Sequence, residues 1–407
     1  MIPPNQRKIL IITEVFAPEE FLINDLVFSW KEQGFFVSVL TRNPSYPKGK
    51  VFTGYRNRLF QKEIINGVPV SRVHIIPGYN RNMLLKILNY LWNMILALLW
   101  GVKNGRKFDL IFIYHTGPLT FSSVGVLIKR IYKKKITIWT QDVWPDTVYA
   151  YDIAKSGISR IILEKFVRWV YKNCDNIAVT SSGFIPIISK YCPSKTITFI
   201  PQWSLTSKIL NKKNNCQVIR YPGNFNFVFA GNISKTQNLE NVIYGFEHYI
   251  TSSSNKEIWL NIIGDGSFLS YLKEKVRTKK ITNVKFWGRM NLTDMPYYYY
   301  KADVLLISLE NQPIFNLTIP AKFQSYLNAE KPIYGILNGE VANLINTYKL
   351  GWVASPDNIQ EIASTFSEIT NCNHATLLEK TKNTNKLLEE QFNRDKIIQK
   401  ITGLVFE

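Results

Sequence analysis

Short apolar runs alternate with longer amphipathic segments along the first half of the chain. The strand-like runs there are KILIIT (8–13), FVSVLT (36–41), PVSRVHI, DLIFIY, ITIWTQ, NIAVTS and TITFIP. Between them, apolar residues recur at helical spacing, as in GISRIILEKFVRWVYKNC. Alternation of this kind predicts an α/β fold in which crossover helices connect the strands of a parallel sheet.

A second series of the same kind follows a polar connector. Around residues 206–224 the sequence is polar and basic without a sustained period. Strand-like runs then resume as FVFAGN, IWLNIIG, VKFWG, DVLLIS, PIYGIL and GWVAS. We therefore predict two Rossmann-like, doubly wound halves, residues 1–205 and 206–385, which face each other across a cleft, and a helical segment at about 386–407. Ligands of such sheets bind outside the carboxyl ends of the strands.

Size and charge narrow the classes of function. The chain has 407 residues, 46% of them hydrophobic, which is enough for two ordinary cores. Its net charge of +20 favours an anionic partner such as nucleic acid, an anionic membrane or a phosphorylated substrate. The alternative is a Lys- and Asn-rich composition without functional meaning. Nucleic acid is not expected, because the aromatic residues follow no recognised RNA-binding pattern.

Cysteine usage and the N-terminus favour a cytoplasmic location. Cys174, Cys192, Cys216 and Cys372 are far apart and show no metal-type pairing, as expected of thiols in a reducing compartment. The opening MIPPNQRKILIITEVF lacks the long apolar core and the small-residue cleavage site of a signal peptide.

One segment, Met83–Lys107, is strongly apolar but contains Lys86, Asn89 and Asn93. Two tryptophans lie within it and basic residues flank it, a pattern typical of a helix that lies at a membrane surface. The alternative is a helix buried between a sheet and its neighbours.

Small and polar residues follow three strands of the second half. They are Gly231, Asn232 and Lys235 after the first strand, Gly264, Asp265 and Gly266 after the second, and Lys322 and Ser325 on a helix that begins near Pro320. Small residues let the backbone approach a ligand, and helix N–H groups favour anions. Either of the first two loops alone could be an ordinary strand-to-helix turn, and neither of them matches a Walker or dinucleotide fingerprint. Together they predict a nucleotide-diphosphate pocket.

The first half contributes carboxylates, aromatic residues and one histidine. Asp142, Trp144 and Asp146 follow a strand in TIWTQDVWPDT, His115 follows another, and Tyr46 lies in the basic loop 42–58. Carboxylates accept hydroxyl protons and aromatic rings stack on sugars, so we predict saccharide binding. The alternatives are surface carboxylates, a structural histidine and a plain surface loop. No further ligands nearby support a metal at the two aspartates.

Together these stretches resemble the bacterial family 4 glycosyltransferases of the GT-B fold, and most closely the branch with L-fucosamine transferases of O-antigen and capsule assembly. The similar segments, in family order, are NPSYPKGKVFTGY, QDVWPDT, EKFVRWVYKNCDNIAVTS, FAGNISKTQNLENVI, IIGDGS, ADVLLISL and TIPAKFQSYLNAEKPI. The resemblance implies retaining transfer of a sugar from a nucleotide-diphosphate donor, expected to be a UDP-sugar, without an essential metal or other cofactor. The acceptor would be a polyprenyl-diphosphate-linked saccharide at the inner membrane surface, and the last helix would pack back on the first half.

The chain departs from the family at several positions. Many members carry two glutamates, separated by seven residues, where this chain has Leu317 and Ser325, and the second usually holds the donor ribose. Asn232 and Gln237 occupy family Arg and Lys positions, and Glu330 replaces a glycine. A serine can still bond a hydroxyl, but without the charge-assisted strength of a carboxylate.

The sequence thus predicts a glycosyltransferase of hexosyl or N-acetylhexosaminyl type. We expect catalysis from Asp142, His115 and Lys322, and acceptor contacts from Trp144, Asp146 and Tyr46. The remaining residues of the second half would hold the donor. Two alternatives stay open: a hydrolysing nucleotide-sugar 2-epimerase on the same fold, and an inactive membrane-bound scaffold of a polysaccharide pathway.

Overall fold

The computed structural model describes residues 6–150, 157–205, 220–253 and 257–406. The chain divides into two compact units: the first contains the residues up to Pro201 and those from Asp395 onward, and the second contains Gln202–Arg394. The first contiguous part of the first unit therefore ends four residues before the boundary expected at 205. Each unit is built on one sheet.

Eight strands form the sheet of the first unit. They are β1 (Lys8–Thr13), β2 (Phe36–Arg42), β3 (Phe60–Ile65), β4 (Val68–Val73), β5 (Leu110–His115), β6 (Lys135–Thr140), β7 (Asn176–Val179) and β8 (Ile197–Phe199). Their order is β3-β4-β2-β1-β5-β6-β7-β8. All neighbouring pairs are parallel except β3 with β4, which is antiparallel. Strand β5 is buried along its whole length, as a parallel strand covered on both faces must be.

Six strands form the second sheet, and all of its pairs are parallel. They are β9 (Phe225–Ala230), β10 (Ile258–Ile263), β11 (Val284–Gly288), β12 (Val304–Ser308), β13 (Ile333–Ile336) and β14 (Gly351–Ala354). Their order is β11-β10-β9-β12-β13-β14. The α/β class and both parallel sheets that the sequence predicted are therefore confirmed.

Helices connect nearly all successive strands. They are α1 (Leu22–Glu32), α2 (Met83–Asn104), α3 (Ser123–Tyr132), α4 (Asp146–Ala150), α5 (Gly157–Asn173), α6 (Ile185–Ser189), α7 (Leu239–Ser252), α8 (Leu269–Thr278), α9 (Met295–Lys301), α10 (Pro313–Asn316), α11 (Ala321–Asn328), α12 (Glu340–Thr347), α13 (Ile359–Asn371), α14 (His374–Leu387) and α15 (Arg394–Phe406). Because strand-to-strand crossovers are right-handed, the direction in which each connection moves along the sheet decides which face its helix covers.

In the first unit, α2, α3 and α5 cover one face of the sheet. The connections that contain them all run in the same direction across the strand order, and the backbone of Gly101 on α2 packs against Val124 of α3. Helix α1 runs in the opposite direction and covers the other face. There Trp30 Nε1 donates to Thr402 Oγ1 of α15 at 2.8 Å.

In the second unit, α7 and α13 pack side by side over the sheet. Gly245 of α7 lies against Ile362 of α13, where a Cβ atom would come within 2.3 Å of the isoleucine side chain. Phe366 of α13 contacts the ring of Phe227 edge-on, with centroids 4.7 Å apart. Phe227, Ile362 and Phe366 belong to one buried apolar cluster beneath the two helices.

Two details differ from the sequence prediction. Strand β3 was not expected, because its residues FQKEII carry charges and alternate between exposed and half-buried positions at the sheet edge. The C-terminal helix expected at about 386–407 begins only at Arg394; the residues before Asn393 belong to α14 and to a π-helical turn, Leu388–Phe392.

The expected burial of Met83–Lys107 between the sheet and its neighbours holds for one side of the helix only. Helix α2 buries one side against the unit, but most of its leucines and isoleucines are exposed. Among the described residues, this segment is the one helix that is long and apolar enough to cross a membrane.

Candidate functional site

Two glycine-containing loops interlock at the carboxyl edge of the second sheet. A Cβ atom on Gly264 would lie 1.8 Å from the carbonyl oxygen of Gly231, and one on Gly266 would lie 2.2 Å from that of Ile233. Gly231 and Gly264 also have φ values of 151° and 141°, which favour glycine. The loops that follow β9 and β10 therefore touch backbone to backbone, as the prediction of a shared edge requires.

Asp265 shapes this contact. Its Oδ1 accepts a hydrogen bond from Gly266 N at 2.8 Å, and its carbonyl oxygen accepts one from Ile233 N at 2.9 Å. Both bonds are internal to the pair of loops. Asn232, between the two loops' contact points, is exposed. The structure thus gives Asp265 and Gly266 a clear part in the loop framework, and leaves Asn232 accessible to a ligand.

Helix α11 begins beside these loops. Pro320 is its N-cap and no side chain caps its first turn, so the first N–H groups remain available to an anion. Tyr326 anchors the helix to the sheet: its hydroxyl accepts from Ala230 N at 3.0 Å and donates to Leu306 O at 3.1 Å. Gln324 is buried, and its amide donates to the carbonyls of Pro320 and Ala321.

The ammonium of Lys322 lies at the Gly231 loop. A Cβ atom on Gly231 would stand 3.1 Å from Lys322 Nζ, and the ammonium lies 3.9 Å from the centroid of the Phe229 ring. It also donates a hydrogen bond to Gln237 Oε1. Although part of the side chain reaches solvent, desolvation of the ammonium lowers the pKa of Lys322 to about 7. A bound anion would raise it again.

Lys235 begins the short 3-10 turn Lys235–Gln237 that carries this acceptor. Its side chain is exposed, and its charge acts on Glu310, whose pKa burial raises and Lys235 lowers. The backbone N–H of Glu310 donates to Thr236 O at 2.9 Å. The turn Lys235–Gln237 therefore carries Lys235 at its start and contacts Lys322 through Gln237 at its end. The ammonium that lies at Gly231 is that of Lys322.

Ser325 faces a cavity of about 310 Å³ in the second unit. Its hydroxyl oxygen accepts a hydrogen bond from Ser204 Oγ at 3.3 Å. The cavity is lined by Pro296, Tyr299 and Tyr300 of α9, Ser325, Asn328 and Ala329 of α11, and Glu330 and Lys331. Both family departures on α11 and just beyond it, Ser325 and Glu330, therefore line the same cavity.

In the first unit, His115 ends β5 and is buried. Its Nε2 donates to Gly117 O at 2.7 Å, and burial lowers the pKa of His115 to about 4. The imidazole is therefore neutral at physiological pH, and its buried Nδ1 has no partner among the described residues. A small cavity of about 10 Å³ beside it is also lined by Glu14. This space is the size of one water molecule.

Asp142 and Asp146 follow β6, the neighbouring strand. Asp142 Oδ1 accepts from Thr147 Oγ1 at 2.6 Å, and burial raises the pKa of Asp142. Asp146 begins α4, and burial raises its pKa as well. Trp144 between them is half-buried. The structure therefore brings His115, Asp142, Trp144 and Asp146 to one sheet edge, while Lys322 lies in the other unit.

Tyr46 is 51% exposed and lies on a firmly held loop. Its ring packs edge-on against Phe21, with centroids 5.5 Å apart. Glu19 Oε1 accepts from the N–H groups of Ser45 at 2.8 Å and of Tyr46 at 2.7 Å. Fully buried Arg72 donates to the carbonyl of Ala17 in the preceding loop. The aromatic ring is thus offered to solvent from a fixed backbone.

Sequence reasoning missed three polar residues at these edges. Gln237 was noted only as a neutral replacement, although it holds the Lys322 ammonium. Glu14 lies against Gly117, where a Cβ atom would come 3.0 Å from Glu14 Oε2, and burial raises the pKa of Glu14 to about 7. Arg42 donates to Glu14 O at 3.0 Å. In the sequence, Glu14 and Arg42 each come directly after a strand-like run, 8–13 and 36–41. This position could have indicated that both residues lie at the edge of the sheet.

Among the described residues, no group of three or more His, Cys, Asp or Glu side chains is placed to hold a metal ion. The second unit instead offers backbone N–H groups and an ammonium, which suit a phosphate-bearing ligand. The first unit offers a neutral imidazole, carboxyl groups and an exposed aromatic ring, which suit hydroxyl-bearing ligands.

Residues 212–388 match the glycosyl transferases group 1 family, and the fold is that of the GT-B glycosyltransferases. The chain is a glycosyltransferase whose second unit carries the group 1 domain. Among curated proteins, it is 24% identical over 304 residues to the probable glycosyltransferase WbjE of Pseudomonas aeruginosa, covering 72% of this chain and 74% of that protein.

Solved structures share the fold along nearly the whole chain. A structure of Anabaena HepE in complex with UDP and glucose has a TM-score of 0.68 at 13% identity, covering 98% of this chain and 99% of that one. An E. coli trehalose-6-phosphate structure bound with UDP-2-fluoro glucose has a TM-score of 0.73 at 10% identity, covering 98% of both chains. At these identities the likeness establishes the fold alone.

Proposed function

We propose that this glycosyltransferase moves a hexosyl or N-acetylhexosaminyl group from a UDP-sugar to a polyprenyl-diphosphate-linked saccharide, with retention of configuration, in O-antigen or capsule biosynthesis. The observation that carries the proposal is the position of the Lys322 ammonium, which extends from the first turn of α11 to the Gly231 loop and donates to Gln237. The sequence resemblance to L-fucosamine transferases supports the finer assignment, and two of the solved neighbours hold UDP or a UDP-sugar analogue.

The reaction needs a site that stabilises a departing diphosphate. Positive groups fixed where charge develops lower the barrier without reorganising during the reaction. Lys322 supplies an ammonium, and the uncapped start of α11 supplies N–H groups. Lys235, Asn232 and Gly231 would bind the same diphosphate. Because these groups already neutralise the leaving group, we expect no essential metal.

Ser325 would lie at the donor ribose, the position that a glutamate occupies in many relatives. A neutral hydroxyl bonds a ribose more weakly than a carboxylate does. The cavity that Ser325 lines gives a nucleoside room of about 310 Å³. Gly264, Asp265 and Gly266 would contribute to donor binding by setting the backbone shape of the loop after β10, at the carboxyl edge of the second sheet.

The acceptor would bind the first unit. Asp142, His115 and Asp146 would position hydroxyl groups, and Trp144 and Tyr46 would provide apolar contact with a sugar ring. His115 enters this role as a neutral group, because burial lowers its pKa to about 4. A lipid-linked acceptor places the enzyme on the cytoplasmic side of the inner membrane, as a peripheral protein that binds through 83–107.

A ligand screen tests the donor. Thermal shifts with UDP-, GDP- and TDP-sugars should show the largest stabilisation with UDP-sugars, since a ligand that binds only the folded state raises apparent stability. Equal shifts with all three, or none, would contradict the donor assignment.

A turnover assay tests the reaction class. We expect UDP release that depends on a lipid-linked saccharide acceptor. UDP release without any acceptor, together with an epimerised sugar, would instead identify a hydrolysing epimerase. Membrane binding without any affinity for a nucleotide-sugar donor would contradict transfer and point to a scaffold.

A further inference from the structure

Helix α2 presents an apolar side to solvent. Leu84, Leu88, Leu91, Ile95 and Leu99 are exposed by 42–67%. These positions recur every three or four residues and so share one face. The opposite, buried face is mixed, with Asn89, Asn93, Leu96, Ala97, Trp100, Gly101 and Asn104. A helix of a water-soluble unit normally exposes polar residues to solvent instead.

Helix α5 shows the same feature at its N-terminal end. Ile158, Ile161 and Ile162 are exposed by 74%, 54% and 64%, although the sequence alone predicted an ordinary amphipathic helix between two strands. They lie opposite the buried Val167 and Val170. Further along the same exposed face come two lysines, Lys165 and Lys172.

The two exposed apolar faces point the same way. Helices α2, α3 and α5 form one layer on one face of the first sheet, and α3 lies between the other two. An outward face of any helix in a layer points away from the sheet. Twelve of the twenty exposed large hydrophobic side chains among the described residues lie on these three helices: Met83, Leu84, Ile87, Leu88, Leu91, Ile95, Leu99, Val102, Ile131, Ile158, Ile161 and Ile162.

The charge around α2 and α3 is almost entirely positive, and α5 carries basic residues together with Glu164. From Ile64 to Gln141, eleven lysines and arginines accompany a single acidic residue, Asp109. Basic residues flank both ends of α2, with Arg81 before it and Lys107 after it, and the end of α3 runs into the basic stretch KRIYKKK. An apolar face rimmed by cations is complementary to an anionic lipid surface. The attraction of such a surface contributes about 1 kcal/mol of binding free energy for each basic residue near it.

We propose that α2 and α5 together form a two-helix surface on which the first unit lies flat against an anionic bilayer. The membrane location proposed above rested on α2 alone. This inference adds α5 as a second helix that contacts the bilayer, and it specifies that the exposed faces of both helices meet the lipid. It rests on the proposed function only for the identity of the acceptor.

The surface lies on the bilayer and does not cross it. Asn93 Nδ2 donates to His74 O at 2.9 Å, and Asn89 Oδ1 accepts from Ile76 N at 2.9 Å. Helix α2 is therefore bonded to the segment after β4 and is part of the folded unit. Its exposed face can enter the headgroup region to about 5–10 Å.

This orientation has a consequence for the acceptor. Helices α2 and α5 each follow a strand, so their N-terminal ends lie at the carboxyl edge of the sheet. The loops with His115 and Asp142 lie at that same edge. The flat orientation thus holds the predicted acceptor residues about one helix layer, roughly 10 Å, above the lipid surface, where a polyprenyl diphosphate would present its saccharide.

Vesicle flotation of the full chain tests the surface. We would compare phosphatidylcholine vesicles with vesicles that also contain phosphatidylglycerol, using the wild type, the α5 variant I158S/I161S/I162S and the α2 variant L84S/L88S/L91S. The control is Ile64→Ser, which removes an equally exposed isoleucine (75%) from edge strand β3.

We expect the wild type and I64S to float only with the anionic vesicles, and each helix variant to bind at least about tenfold more weakly. The substituted side chains are exposed, so circular dichroism should show unchanged folding. Wild-type affinity of the α5 variant, or equal binding to neutral vesicles, would overturn the proposal.

Light scattering in solution tests whether a second copy of the chain, and not a bilayer, covers the surface formed by α2 and α5. A wild-type dimer that the same substitutions dissociate, without vesicle binding, would also overturn the proposal. UDP binding by the same variants separates the two hypotheses: a protein that floats but ignores UDP-sugars keeps the surface and loses the proposed function.

Discussion

The two sheet edges of this chain are built from opposite kinds of residue. The first unit buries charged groups close together at its edge: Glu14, Glu19, Arg42 and Arg72 are all less than 10% exposed, and Arg72 forms an ion pair with Glu63. The second unit has interlocked glycines and one ammonium, Lys322, that is bonded to a neutral amide.

This difference indicates which edge is prepared for a charged ligand. Where carboxylates and guanidinium groups already neutralise each other, an incoming anion gains little. An ammonium with a neutral partner has lost hydration without gaining a counter-charge, so an anion recovers that cost on binding. The contrast leads us to expect the diphosphate at the second edge and neutral hydroxyl groups at the first.

The largest expected effect is that of Lys322→Ala. It removes the positive group at the Gly231 loop, so we expect turnover to fall by about 10²–10³. The control is Lys380→Ala, which deletes a half-buried lysine of the same unit that lies over the Trp352 ring, outside the loops and the cavity, and should change turnover by less than about threefold. Steady-state rates with a UDP-sugar decide between them. Equal losses in both variants would mean that net charge, and not position, matters.

The loop contact gives the next effect. Gly264→Ala would place a methyl group 1.8 Å from Gly231 O, whereas Gly288 also has a positive φ, 76°, but no atom within 4 Å of its Cβ position. Urea unfolding should show a loss of more than about 3 kcal/mol for Gly264→Ala and of about 1–2 kcal/mol for Gly288→Ala. Similar losses would show that backbone strain alone, without the interlock, accounts for both glycines.

The pH dependence of UDP binding tests the state of Lys322. Its pKa is about 7 without ligand, and a bound diphosphate raises it, so binding takes up a proton above pH 7. Affinity should therefore fall from pH 7 to 9, by up to about tenfold per unit. The terminal phosphate of UDP ionises at about pH 6 and does not contribute in this range. Lys322→Arg stays charged and should give a flat profile; a slope equal to that of the wild type would refute the assignment.

The smallest effect concerns His115. Its pKa is about 4, so it stays neutral from pH 5.5 to 8. His115→Gln should lower turnover by about tenfold, the value of one hydrogen bond, without changing the shape of the pH–rate profile. A limb near pH 6.5 that disappears in the variant would mean that His115 titrates during catalysis.

The sequence predicted the sheets because each central strand is a buried apolar run. It placed Gly231 and Lys322 at one edge because both follow strands of one parallel sheet. It could not predict that Gln237 holds the ammonium, since a neutral residue at a family lysine position indicates only a lost charge. Nor could it show that Glu14 is buried, because a glutamate after a strand is usually exposed.

Helix α2 shows a different limit. Its residues are apolar almost all round, so the pattern cannot say which side is buried. The structure answers through Asn89 and Asn93, which bond the segment after β4 and thereby turn the leucines outward. Only the position of a hydrogen-bond partner, which lies outside the helix itself, decides this orientation.

The carboxylate of Glu19 beneath Tyr46 has one more consequence. It occupies the amides of Ser45 and Tyr46, so both should take up deuterium slowly, although they lie outside any strand or helix. These two amides, which directly precede the mostly exposed residues of 47–58, would continue the slow deuteration of β2 beyond the end of the strand. A saccharide that stacks on the tyrosine would then meet an aromatic surface whose position is set in advance, and would lose little conformational entropy of the protein on binding.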